Sequence, residues 1–255
     1  MNKQLCALTL AALTTISTAD AEEVNSPNRE FSLANLQWYA GVNTAYLKPG
    51  GDVSFYGNTS SIYGGTPTIG MDDGGAISLT LGAEVGNGWR LQGEFGYLNM
   101  RTDTSSVMGI DDRSDDVFAL DAEVESLVFM LNGVYDFDIG SSRFTPFVKG
   151  GIGLARNEST QTSLDVEFNS AIWDGSIYEG QVLDNYRYPE GRATEFAWNV
   201  GAGLRLDLSN HFAMALEYGL LDLGEAQTGT DDNGDALGWN DFKTEQLSLG
   251  IDYRF

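Results

Sequence analysis

The sequence predicts an all-β fold: an eight-stranded antiparallel up-and-down barrel that crosses a lipid bilayer and carries four long extracellular loops. Three observations lead there. Apolar and polar residues alternate over eight stretches, each about as long as the 9–11 residues a tilted strand needs to span a bilayer. The links between these stretches are long and short in turn. Beyond the N-terminal segment, no stretch approaches the roughly 18 uninterrupted apolar residues of a membrane helix, so any crossing must use strands.

In chain order, Leu36–Leu47 places Trp38, Ala40, Val42, Thr44 and Tyr46 on one face. Ala76–Val85 does the same with Ile77, Leu79, Leu81, Ala83 and Val85. Trp89–Asn99 presents Trp89, Leu91, Gly93, Phe95 and Tyr97, and Glu125–Phe137 presents Leu127, Phe129, Leu131, Gly133, Tyr135 and Phe137. Phe144–Ala155 carries Pro146, Val148, Gly150, Ile152 and Leu154. Glu195–Asp207 carries Phe196, Trp198, Val200, Ala202, Leu204 and Leu206. Phe212–Leu221 carries Phe212, Met214, Leu216, Tyr218 and Leu220. The closing stretch from Glu245 sets Leu247, Leu249, Ile251, Tyr253 and Phe255 against Gln246, Ser248, Gly250, Asp252 and Arg254.

Long links fall at 48–75, 100–124, 156–194 and 222–244, with short ones at Gly86–Gly88, Asp138–Arg143 and Leu208–His211. A compact soluble domain has little use for four long structureless links, whereas a barrel displays them on one side. The aromatics agree. Trp38, Trp89, Tyr135, Phe137, Phe144, Phe212, Tyr253 and Phe255 gather near the short turns. Tyr46, Tyr97, Phe196, Trp198 and Tyr218 gather near the long links. All share the outward parity, forming two girdles separated by smaller apolar residues.

Composition narrows the function. With 37 Asp and Glu against 14 Lys and Arg, the net charge of −23 excludes a binder of nucleic acid, which needs a basic surface. Residues 1–21 read as a cleaved signal peptide: Lys3, an apolar core from Leu5 to Ile16, and the small-residue site Ala19-Asp20-Ala21. Cys6 leaves with it, so no disulfide or thiolate site is expected. Residues 22–35 read as a polar periplasmic lead-in and 36–255 as the barrel, with both ends periplasmic.

The runs Leu-Asn-Gly-Val-Tyr-Asp-Phe (131–137), Phe-Thr-Pro-Phe-Val-Lys-Gly-Gly-Ile-Gly-Leu-Ala (144–155), Phe-Ala-Trp-Asn-Val-Gly-Ala-Gly-Leu (196–204) and Leu-Gly-Ile-Asp-Tyr-Arg-Phe (249–255) resemble the opacity-protein, OmpA-like family of eight-stranded outer-membrane barrels. The resemblance implies residence in the bacterial outer membrane, contact with its lipid and lipopolysaccharide, and a monomeric barrel. It also implies that Ile251, Tyr253 and Phe255 form the C-terminal signal read by periplasmic chaperones and the barrel-assembly machinery. The family includes adhesins, surface antigens and structural barrels, so activity is left to the loops.

An eight-stranded barrel is filled by its own side chains. The inward parity carries Glu84, Arg90, Glu94, Lys149, Arg205, Glu217, Asp252 and Arg254, nearly balanced in sign. The Gly86-Asn87-Gly88 turn sets Glu84 across from Arg90, an expected ion pair. A static polar plug is the favoured reading and a gated water path the alternative.

Chemistry finds little support. The one histidine, His211, sits in a short turn away from the long-loop rim where barrel hydrolases keep a Ser or Asp with a His base. Asp231-Asp232-Asn233-Gly234-Asp235 and Asp111-Asp112-Arg113-Ser114-Asp115-Asp116 fail calcium-loop spacing and read as solvated loops, with weak divalent-cation binding the alternative. No cofactor or metal is expected. Phe168, Ile172, Trp173, Ile177, Tyr178, Val182, Leu183, Tyr186 and Tyr188 could form a binding face, or pack on the rim and lengthen its strands. The expected function is therefore a non-enzymatic surface barrel acting in envelope structure or contact through acidic loops. The alternatives are a small pore or solute carrier and a lipid-modifying enzyme.

Overall fold

The computed structural model describes residues 36–50, 53–56, 71–108, 116–140, 143–168, 181–239 and 242–255, with side chains at 53–56, 103–118 and 166–185 left out. The signal peptide and lead-in lie outside the described residues.

Eight strands close the barrel: β1 (Gln37–Gly50), β3 (Gly74–Gly86), β4 (Trp89–Met108), β5 (Asp116–Asp136), β6 (Phe144–Phe168), β8 (Gly191–Asp207), β9 (Phe212–Asp222) and β12 (Lys243–Arg254). Each pairs antiparallel with the next. The closing seam joins β1 to β12 from Tyr39↔Arg254 to Gly50↔Lys243. Four further strands stand apart from the ring. β7 (Gln181–Arg187) pairs with the far half of β6. β2 (Val53–Tyr56), β10 (Ala226–Gln227) and β11 (Ala236–Trp239) form a small sheet in the order β10-β11-β2.

The turn end follows local chemistry. Asn87 and Gly88, with φ of 53° and 80°, have the two positive angles of a type I′ hairpin turn. A Cβ on Gly88 would lie 2.6 Å from the Asp136 carbonyl, so glycine also lets the neighbouring strand approach. Ser209 Oγ accepts the backbone N–H of Phe212 at 3.0 Å and closes the 208–211 turn.

At the loop end the expected structureless links are corrected. β4 and β5 remain paired out to Met108↔Asp116, and β6 runs 25 residues. Alternation continues in these extensions with its apolar side reversed. Asn99, Arg101, Glu123 and Glu125 now face outward. Leu98, Met100, Leu120, Ala122 and Val124 face inward and are buried. Within the bilayer the outer face meets hydrocarbon; beyond it the outer face meets water, so the greasy face must turn inside.

Candidate functional site: the lumen and the polar rim

Around the outer wall, apolar residues stop at one level. Leu79, Phe95, Phe129, Leu131, Ile152, Leu154 and Val200 are all exposed on the outward face, about half of each surface uncovered. One step beyond the aromatic band, the outward positions become Lys48, Asp73, Asn99, Glu125, Arg156, Thr194, Asp222 and Glu245. Aromatic donors stitch the two levels together. Tyr97 Oη donates to Glu125 at 2.6 Å and Tyr218 Oη to Glu245 at 2.9 Å. Trp198 Nε1 donates to Asp222 at 3.1 Å, and Tyr46 Oη donates to Asp73. An amphipathic ring whose polar edge has a fixed acceptor suits a membrane interface.

At the turn end, Trp38, Trp89, Phe137, Tyr253 and Phe255 face outward and exposed. Trp89 packs on Tyr135 at 5.1 Å, and Tyr135 on Phe137 edge to face at 5.0 Å. Tyr253 meets Phe212 and Phe255 edge to face, and His211 stacks on it with centroids 5.9 Å apart. His211 is a turn residue, as its spacing suggested. Ile251, Tyr253 and Phe255 share the outward face.

The lumen is layered. In the layer nearest the turns, Arg90 holds Asp136 through Nε at 2.9 Å and Nη2 at 2.8 Å, the bidentate geometry that guanidinium and carboxylate favour. The same guanidinium lies over the rings of Tyr39 and Phe147, its carbon 5.6 and 5.5 Å from their centroids. Arg205 Nη1 lies 3.3 Å from Asp136 and 3.7 Å from Glu84, while Arg254 pairs with Asp207 and lies 3.9 Å from Glu84. The expected Glu84–Arg90 ion pair is thus corrected. Their Cα atoms do face each other across β3 and β4. Asp136, on the other flank of β4, offers both oxygens to Arg90, and Glu84 turns to Arg205 and Arg254.

The second layer is centred on Lys149, whose Nζ is 2.6 Å from Glu217 and 3.6 Å from Glu94. Glu94 also accepts from Ser78 at 2.7 Å and Asn132 at 3.0 Å, and Asn199 donates to Asn132 at 3.0 Å. Glu94, Lys149 and Glu217 therefore meet, as do Arg90, Arg205 and Glu84 indirectly through Asp136. Asp136 and Asp207, absent from the sequence-derived network, were legible by parity, each following an inward residue by two.

Above Lys149 the lumen lining becomes largely apolar, with Ser126 and Asn157 hydrogen-bonded to each other within it. Leu98, Met100, Val124, Val128, Met130 and Leu221 form one buried apolar cluster with residues of the loop-end strands. Leu237, Trp239 and Phe242 are at most 2% exposed and belong to the same cluster. Asn157 ties this head to the barrel, its Nδ2 donating to the carbonyls of Leu223 and Glu225 at 2.8 Å each. Among the described residues, an apolar core thus lies across the mouth of the barrel.

The head also answers two sequence readings. Asp231 accepts the backbone N–H groups of Asn233 and Asp235 at 2.8 Å each and the Tyr186 hydroxyl, so local structure takes up this carboxylate. Burial opposes its ionisation, but those donors hold its pKa below the usual 3.8. Tyr186 meets Tyr188 edge to face at 5.3 Å, and Tyr188 is buried. Side chains of the other apolar residues named in the third link, and of 111–116, lie outside the described set.

Over residues 7–255 the sequence matches the family described as outer membrane protein beta-barrel domain. The chain belongs to that family. Among curated proteins this barrel is similar to outer membrane protein PagN of Salmonella typhimurium, 24% identical over 224 residues that cover 84% of this chain and 83% of PagN. Among solved structures it is similar to OprG of Pseudomonas aeruginosa, at 15% identity and a TM-score of 0.49, covering 86% of this chain and 96% of OprG. It is also similar to Neisserial surface protein A, at 14% identity and a TM-score of 0.47, covering 86% and 97% of the two chains. As a family member it is a transmembrane barrel of the Gram-negative outer membrane.

Proposed function

We propose that this barrel is a non-conducting, non-enzymatic membrane mount, with its loop end outside the cell, that presents an acidic folded head for surface contact. The observation that carries this reading is the apolar core spanning the lumen from Leu98 and Met130 to Trp239 and Phe242. A solute pathway needs a wetted passage, whereas a packed apolar layer excludes water. Charge supports the second half. The four segments from the polar ring outward (48–73, 99–125, 156–194 and 222–245) hold 25 of the 37 acidic residues and 7 of the 14 basic ones. Such a field attracts cationic surfaces and repels sulfated or phosphorylated ones. The barrel stands in lipid and lipopolysaccharide as a monomer, with Ile251, Tyr253 and Phe255 as its assembly signal.

The test is retention of barrel-bearing lipid nanodiscs on polylysine-coated and heparin-coated surfaces. Polylysine is expected to retain them at low salt and release them as the Debye length shortens toward about 3 Å at 1 M. Equal retention on both surfaces, or retention indifferent to salt, contradicts the reading.

A further inference from the structure

The apolar core is one-sided. Most of its large barrel-wall residues, Leu98, Met100, Leu120, Val124, Val128 and Met130, come from β4 and β5. The neighbouring wall of β6 and β8 is built differently. Its inward rows run Gly153, Ala155, Asn157 and Ser159 on β6, opposed in register by Ala197, Glu195, Ala193 and Gly191 on β8. Both rows are small or polar. Toward the turns they continue to Lys149 and Asn199, which line a cavity of about 70 Å³. At about 10–15 Å³ per water-sized sphere, that cavity accommodates roughly five waters. One group on the wall is not satisfied by the closed structure. Glu195 is an inward carboxylate with no hydrogen bond or ion pair among the described residues, so it requires water.

The segment Leu223–Thr228 covers this wall. β8 reaches Gly191, but its ladder with β9 ends at Trp198↔Asp222. Beyond that pair the chain leaves the ring and lies on the inward residues of β8. A Cβ on Gly224 would stand 2.5 Å from Glu195 Cβ, and one on Gly191 would overlap the Gln227 carbonyl. Leu223 and Gly224 exchange backbone hydrogen bonds with Phe242, which makes them the fixed end. At the other end Gly229 N–H donates to the Pro189 carbonyl at 2.8 Å. Between these ends a side chain, rather than a ladder with β8, supplies the grip. Asn157 Nδ2 gives its two hydrogens to the carbonyls of Leu223 and Glu225. Ser126 Oγ donates to Asn157 Oδ1 at 2.7 Å, which fixes the orientation of the amide. Gly224 lies between the two clamped carbonyls with φ of 78°, a bend that glycine takes without strain. A short segment held by a few side-chain hydrogen bonds opens at less cost than a paired strand.

We propose that the β6–β8 wall is a latent path for water and small ions, that Leu223–Thr228 is the strap that seals it, and that Asn157 is the latch. Resting on the closed-lumen reading above, this places the rare openings of the barrel at one wall. When the strap bows away from β8, Asn157, Ser159 and Glu195 are wetted and join the cavity beside Lys149 to the outside. Amide, hydroxyl and carboxylate groups favour water and small cations there, while the packed side of β4 and β5 stays dry. Asn157 is a positioning residue, acting on the path through the strap it holds.

The experiment places single cysteines in a Cys6→Ser background, since Cys6 is the chain's one cysteine. Ser159→Cys reports on the β6–β8 wall and Val124→Cys on the packed side. Each reconstituted barrel is treated with a water-soluble thiol reagent from the loop side. Ser159→Cys is expected to react slowly, and added Asn157→Leu to speed it about tenfold or more, the factor that two lost hydrogen bonds are worth. Val124→Cys should stay unreactive with or without Asn157→Leu. Asn157→Leu alone should open more often than wild type in a planar bilayer. Ser126→Ala frees the amide to turn and should act in the same direction; it decides should Asn157→Leu fail to fold. Unchanged labelling at Ser159→Cys in a folded latch variant, with a silent wild type, overturns the strap alone. Equal acceleration at Val124→Cys also overturns it, because the head then loosens as a whole. Steady conductance from the wild-type barrel contradicts the closed lumen itself, and the strap falls with it.

Discussion

Replacing Lys149 with methionine keeps most of the length of the side chain and removes its charge. Lys149 is 7% exposed, and its partners Glu217 and Glu94 are 10% and 19% exposed. At the effective dielectric of about 20 suited to protein sites, unit charges at these two separations attract by about 6 and about 5 kcal/mol. Taking the ammonium out of water offsets most of that gain. What the variant cannot offset is two carboxylates left facing each other, and breaking a buried pair in this way costs about 3–5 kcal/mol. The assay is urea unfolding of barrels refolded into lipid vesicles, followed by tryptophan fluorescence. A loss of about 3–5 kcal/mol is expected for Lys149→Met. The triple variant Lys149→Met, Glu94→Gln, Glu217→Gln should recover most of it, since neutral amides replace the stranded charges. If Lys149→Met lies within about 1 kcal/mol of wild type, the second layer is not a coupled charge network.

Trp239→Ala, at a 2% exposed site in the head, should cost about 3–5 kcal/mol locally and admit protease to 222–244 while the membrane strands stay protected. Gly88→Val forces a side chain toward the Asp136 carbonyl from a backbone with φ of 80°, and is expected to slow barrel folding in a heat-modifiability assay. Acid should loosen the head before the barrel. Hydrogen bonds from Asn99, and the Arg101 guanidinium, hold Glu123 below its usual 4.5, and Asp231 is held below 3.8. Stability from such depressed carboxylates is complete above the unfolded values and is lost as pH falls through the folded ones. Amide exchange in 222–239 should therefore rise below about pH 4, and no change down to pH 2 counts against these contacts.

The bilayer-spanning half of the fold was legible because lipid imposes one rule on all eight strands, apolar outward, and Leu79, Phe95, Ile152 and Leu249 obey it. The head was not, because the same alternation continues there in the opposite sense. Leu98, Met100, Leu120 and Val124 occupy the parity that carries Glu94 and Asn132 a few residues away. A search for outward grease stops where water replaces lipid. The lumen showed a similar division. Parity identified Glu94, Lys149 and Glu217, and their meeting follows from it. Which carboxylate Arg90 takes depends on how far a long side chain reaches across three strands, and opposition of Cα atoms does not determine that. The depth at which Trp239 and Phe242 enter the core is likewise a property of packed segments far apart in sequence.

The most direct measurement is the current through single barrels in a planar lipid bilayer, with Leu98→Ser, Met130→Ser and Trp239→Ser combined in a second protein. A packed apolar core across the lumen predicts at most small, rare openings for the wild-type chain and more frequent openings for the variant. Steady, large conductance from the wild-type barrel contradicts a closed lumen and returns the protein to the solute pores.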